Sequence, residues 1–187
     1  MVVAAVVIAV VVFFAAFLAG LAISMYNKLI RRRNQVDNAW AQVGVQLKRR
    51  HDLIPNLVET VKGYATHERD TLEAVTTARA GAVSAQTPAA QAQAENALTQ
   101  TLKSLFAVAE SYPDLKASAS FVTLQQELDD TESKIAYARQ YYNDTVLGMN
   151  NATGTFPGNV FAGVLGFHHQ EAFQAAEEEA GPVQVRF

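Results

Sequence analysis

Residues 2 to 25 carry no charged side chain, and this run limits the chain's possible folds more than any other feature. At about 1.5 Å of rise per residue, a helix of that length spans roughly 36 Å. A bilayer hydrocarbon core is about 30 Å thick, so the helix can cross it with some tilt. A cleaved secretion signal would start with basic residues and have a shorter apolar core. No Lys or Arg precedes this run. A core helix of a soluble domain would keep a polar face. The run therefore predicts a membrane anchor. Gly20 and Ala15, Ala16, Ala19 and Ala22 leave room for close helix contacts, but no G-x-x-x-G pair is present.

Charge appears as soon as the apolar run ends. Lys28, Arg31, Arg32 and Arg33 form a basic collar, and Lys48, Arg49 and Arg50 follow. These seven residues face a single acid, Asp37, so residues 26–50 carry +6 and the rest of the chain carries −9 of the net −3. Basic residues beside a membrane helix stay on the cytoplasmic side. The expected topology is an outward-facing N-terminus, with residues 26–187 in the cytoplasm. The collar is expected at the membrane surface, where each cation gains about 1 kcal/mol from anionic headgroups. Residues 48–50 lie about 30 Å further along a helix, beyond that attraction, and suit a helix C-terminus.

Three parts are expected: a transmembrane helix over 1–25, a helical bundle over 26–150 and a C-terminal tail over 151–187. Val36, Trp40, Val43 and Leu47 are spaced 4-3-4 and give one apolar stripe. His51-Asp52 and Pro55 predict a break, with Asp52 capping a second helix that runs to about Arg79–Gly81. Thr87-Pro88 opens a third helix, with a stripe of Ala94, Leu98, Leu102, Leu105, Val108 and Tyr112. After a turn at 111–114, the last helix carries Phe121, Leu124, Leu128, Thr131, Ile135, Ala138 and Tyr142, ending near 148–154. The expected fold class is all-α: the anchor continues into an elongated antiparallel four-helix bundle with coiled-coil-like packing. The Phe- and Gly-rich segment 156–173 could pack on the bundle, lie on the membrane or join a neighbouring subunit. Glu177 to Glu179 reads as a solvated patch, and Val183, Val185 and Phe187 alternate as a short strand does.

The chain has no cysteine, which rules out disulfides, thiol nucleophiles and thiolate metal sites. Its four histidines are His51, His67, His168 and His169, and none follows a Glu by three residues, as a carboxylate-bridged di-metal bundle requires. Asp129, Asp130 and Glu132 form an acidic run of the kind bundle surfaces carry. No phosphate-binding glycine loop is present. No cofactor, metal, enzymatic activity or nucleic-acid partner is expected. Polar residues at or near the apolar stripes are the better candidates: Arg50, Asn56, Glu68, Glu132, Arg139 and Asn143. They suggest either an ion-pair and hydrogen-bond network that fixes helix register or a site for a partner.

Taken together, the motifs resemble those of the LemA family. They are Tyr26-Asn27-Lys28-Leu29, Asn38-Ala39-Trp40, the run from Arg50 through Pro55 to Val58, and His67-Glu68. Ala78-Arg79-Ala80, Tyr112-Pro113-Asp114-Leu115, Glu132 to Ile135, Arg139 to Asn143, Phe156 to Asn159 and Gly166-Phe167 complete the set. The resemblance implies a bacterial membrane protein with a soluble antiparallel helical domain, and no established activity. Three functions are weighed. The first is a self-associating membrane scaffold, a homo-oligomer bound to lipids. The second is an adaptor that recruits a cytoplasmic protein. The third, an enzyme, requires a pocket with perturbed titratable groups.

Overall fold

In the computed structural model, residues 1–173 are described, and every regular element among them is helical. The expectations for Glu177 to Glu179 and for Val183, Val185 and Phe187 lie outside the described residues. The elements are α1 (Val2–Lys62), α2 (Arg69–Ser84), α3 (Pro88–Ala109), α4 (Pro113–Lys116), α5 (Ala119–Gly154) and α6 (Gly158–Val164). Two compact units divide the chain: Met1–Ala39 with Asp144–Gln170, and Trp40–Asn143 with the segment from Glu171.

The first unit contains the apolar run. The first 20 residues of α1, Val2 to Leu21, are exposed, so the side chains that would face lipid meet no protein. The segment is long and apolar enough to cross a membrane. Below it, Leu29, Val36 and Ala39 are buried, as are Val146 and Met149 of α5, Ala162 of α6 and Phe167. Tyr26 meets Phe167 edge to face at 6.2 Å. Gly158 is required where it stands, because a Cβ there would lie 1.9 Å from the carbonyl oxygen of Ala152. Gly166 takes a φ of 71°, a conformation in which L side chains are strained. Asn150 pairs with both backbone groups of Gln170, donating to its carbonyl at 2.9 Å and accepting from its amide at 2.8 Å.

The second unit has a core drawn from five helices. Ile54, Leu57 and Val61 of α1 join Leu72 and Val75 of α2, Leu98, Leu102 and Leu105 of α3, Leu115 of α4, and Phe121 and Leu128 of α5. The predicted stripe of α5 is buried at Phe121, Leu128, Thr131, Ile135 and Tyr142. Thr131, fully buried, donates its hydroxyl to the carbonyl of Glu127 at 2.6 Å, so its polar atom is not orphaned. Thr87 caps α3 as predicted, accepting from the amide of Ala90, with Pro88 in the first turn.

The first helix departs from expectation. It does not break at His51-Asp52 but runs unbroken through Pro55 to Lys62. Proline inside a helix removes one amide donor and leaves the carbonyl four residues earlier without its partner. That carbonyl belongs to His51, and Arg79 Nε of α2 donates to it at 2.6 Å. A guanidinium from a neighbouring helix thus supplies the hydrogen bond that Pro55 cannot. Asp52 is no cap; it pairs with Lys48, one turn back, at 2.5 Å. The break comes instead at residues 63–68, between α1 and α2. Glu68 stands at the N-cap of α2 without a side-chain cap bond, because its carboxylate accepts the Tyr112 hydroxyl at 2.9 Å.

Candidate functional site

Among the described residues of the second unit, the buried polar side chains of Arg50, His51 and Gln91 converge on Glu95. The α3 stripe was expected to be apolar from Ala94 onward. In the structure its buried residues are Gln91, Ala92, Glu95, Leu98, Leu102, Leu105 and Ala109, so two of the first three are polar. Glu95 Oε1 accepts from His51 Nε2 at 2.7 Å and from Gln91 Nε2 at 2.9 Å. Its Oε2 accepts from Arg50 Nη1 at 3.2 Å. Contact with a carboxylate oxygen places the His51 proton on Nε2. Gln91 Nε2 also donates to the carbonyl of Ala82 at 3.0 Å.

Arg50 is shared. Its Nη1 lies 3.2 Å from Glu132 Oε2 on α5, and its Nη2 donates to Thr99 Oγ1 at 2.7 Å. The side chains of Arg50 and Glu95 are each 5% exposed, whereas that of Glu132 is 46% exposed. One guanidinium therefore ties α1, α3 and α5 together. No buried side-chain polar atom among the described residues lacks a hydrogen bond. Burying ions is tolerated on those terms: paired, and with the remaining donors and acceptors satisfied.

Two clefts adjoin the network. One of about 340 Å³ is lined by Arg50, Glu95, Lys103, Glu132, Arg139 and Phe173, among others. Another of about 420 Å³ is lined by residues that include Trp40, His51, Arg79 and Gln91. Among the described residues, no group of three His, Asp or Glu side chains could hold a metal ion.

A second constellation surrounds Phe173. Its ring is buried and lies 6.1 Å from Trp40, which meets Tyr142 at 5.1 Å. The Arg139 guanidinium sits over the Phe173 ring at 4.6 Å. Asn143 donates Nδ2 to the carbonyl of Phe173 at 3.0 Å and accepts from its amide at 2.8 Å. The Tyr142 hydroxyl donates to the carbonyl of Glu171 at 2.8 Å.

The six polar candidates thus fall into separate places. Arg50 and Glu132 join the Glu95 network, and Arg139 and Asn143 hold Phe173. Glu68 pairs with Tyr112 at the start of α2, not on a buried stripe. Asn56 is exposed, and its carbonyl accepts Thr60 Oγ1, so it belongs to neither group. Asn56 stands on the exposed side of α1, away from the buried Ile54, Leu57 and Val61, and takes no part in the buried network. The collar residues Lys28, Arg31, Arg32 and Arg33 are all exposed; Arg33 also lies 5.9 Å from the Phe167 ring centroid. Sequence reasoning missed Glu95, His51, Gln91 and Arg79. The missed signal was phase: Gln91 and Glu95 continue the 98-102-105 series backward in steps of three and four.

Fold and site define a class: an all-helical protein with one N-terminal segment able to cross a membrane and a domain whose helices are tied by a buried ionic network. The chain belongs to the LemA family, whose model matches residues 39–187. It is 28% identical over 157 residues to protein LemA of Metamycoplasma hominis, a match that covers 82% of this chain and 70% of that protein.

Proposed function

We propose that this chain is a non-enzymatic scaffold anchored in the bacterial cytoplasmic membrane, where it self-associates and organises the bilayer. The observation that carries the reading is α1. One helix, about 90 Å long, begins with lipid-suited exposed residues and ends as a wall of a buried core. In this reading the N-terminus lies outside, the collar meets anionic headgroups, and the helices pack antiparallel in a coiled-coil-like bundle. The charged groups of the Glu95 network are mutually satisfied, which suits a register-fixing role better than turnover. Extraction in mild detergent followed by mass measurement tests the reading. Assemblies larger than one chain are expected, and a strictly monomeric particle would sink it.

One observation favours an adaptor as the second reading. Val45, Tyr137 and Tyr141 are exposed and line a groove of about 450 Å³ with Gln42, Gln46 and Lys134. Exposed tyrosines beside glutamines and a single lysine suit protein contacts. In-cell cross-linking from this face that recovered only copies of the chain itself would count against the adaptor.

A further inference from the structure

In the first unit, the segment around α6 leaves an apolar face uncovered. Residues 145–167 contain no Asp, Glu, Lys or Arg. Within α6, Gly158 and Ala162 are buried one turn apart. Val160 and Val164 stand on the opposite side, 58% and 87% exposed. Phe156, just before the helix, is 82% exposed. Single exposed hydrophobes are ordinary on a soluble surface, whereas an apolar face within a charge-free run marks a contact site. The height of this face along α1 points to the occupant. Val2 to Leu21 are exposed, and 20 helical residues rise about 30 Å, the thickness of a hydrocarbon core. Partial burial begins at Ala22 and Met25. α6 sits at that level: a Cβ on Gly158 would lie 3.5 Å from Met25 Cε, and Phe167 packs on Tyr26. The cations of the collar start within a turn, at Lys28. The uncharged face therefore lies between a run of lipid-spanning length and a ring of headgroup-seeking charge.

We propose that α6, with Phe156, Val160 and Val164, is an interfacial element that beds into the lipid surface beside the anchor. The proposal rests on the anchored reading of α1 and adds a second lipid contact to it. A helix of seven residues would hold a membrane poorly by itself. Here α1 keeps it at the surface, so its effective concentration there is high and only the transfer of its own apolar face needs to be favourable. Two lipid contacts on one rigid unit also limit how α1 can rotate about its own axis.

The chain has no cysteine, so single-cysteine variants can each carry one nitroxide label. Val160→Cys and Val164→Cys report on α6, Val12→Cys on the apolar run, and Asn34→Cys on an exposed position beyond the collar. The full chain is placed in vesicles of phosphatidylcholine and phosphatidylglycerol. Spin-resonance saturation then compares each label's collisions with oxygen, which concentrates among acyl chains, and with a water-soluble nickel chelate. Labels at 160 and 164 should favour oxygen, as the label at 12 does, while the label at 34 favours nickel. Nickel preference at 160 and 164 beside oxygen preference at 12 would overturn the proposal and leave the anchor standing. Nickel preference at 12 would remove both. Labels at 160 and 164 shielded from both reagents would mean that protein, a second copy or another chain, covers the face, and would overturn the lipid assignment. In a Val160→Asp, Val164→Asp background, a label carried by Phe156→Cys should shift from oxygen to nickel preference, with helical content checked by circular dichroism. An unshifted label there would refute α6 as the lipid-binding element.

Discussion

Removing the carboxylate of Glu95 should do more damage than removing that of Glu132, the other acid that meets Arg50. The two Glu95 oxygens accept from Arg50, His51 and Gln91, and its side chain is 5% exposed. Breaking a buried ion pair by deleting one partner costs about 3–5 kcal/mol, because the other charge stays buried. In Glu95→Ala, Arg50 would retain Glu132 and Thr99, so the lower end applies, about 3 kcal/mol. For a chain of this size that lowers the melting temperature by roughly 6–12 °C. Glu132→Ala removes a carboxylate already half in solvent and should cost below about 1 kcal/mol. Thermal and guanidinium unfolding of the detergent-solubilised chain, followed by circular dichroism, gives both values. Arg50→Met combined with Glu95→Met should be more stable than Glu95→Ala alone, since no buried guanidinium is then stranded. If Glu95→Ala costs under about 1 kcal/mol, or matches Glu132→Ala, the account of the network is wrong.

Three further outcomes are expected. Arg79→Met should cost about 1–3 kcal/mol by orphaning the His51 carbonyl, yet far less in a Pro55→Ala background, where residue 55 regains its own amide; equal costs in both backgrounds would refute the compensation. Asn143→Asp should destabilise more than Asn143→Ser, because it sets a carboxylate against the Phe173 carbonyl while keeping the acceptor for its amide; unfolding midpoints decide. The Tyr112 hydroxyl, bonded to the Glu68 carboxylate, is held above the ordinary phenol range, so its contribution is complete below about pH 10 and disappears as pH rises through the raised value. The stability gap between the unmodified chain and Tyr112→Phe should therefore close at high pH, and a gap that stays constant in alkali would contradict the hydrogen bond. Asp52 behaves in the opposite sense: the hydrogen bond from Lys48 lowers its pKa, and its contribution is lost as pH falls below the usual carboxylate range.

The apolar run, the helical class, the Thr87-Pro88 start of α3 and the buried stripe of α5 were all readable from local pattern. Each depends on spacing along one helix or on chemistry within one turn, and both are written in order along the chain. The break predicted at Pro55 failed for a different reason. Local rules treat a proline as a missing donor, and only a distant side chain, Arg79, could replace it. Glu95 was passed over because a search for apolar periodicity discards a carboxylate. Its burial makes sense only once Arg50, His51 and Gln91 are known to surround it. Asn143 was legible as a polar residue beside a stripe, but not as a clip for a backbone 30 residues further on.

By itself, then, the sequence determined that the chain is helical, which stretch can enter a bilayer, where the collar of charge falls and to which family the motifs point. These follow from hydrophobic transfer and helix periodicity, which act over a few residues. Tertiary structure alone decided which polar groups are buried, which partner each one has and where the first helix ends. Several of those outcomes depend on hydrogen bonds between groups far apart in sequence, 28 residues for Arg79 and His51 and 49 for Arg50 and Thr99, and one chain's local pattern holds no record of which distant donor will meet which acceptor.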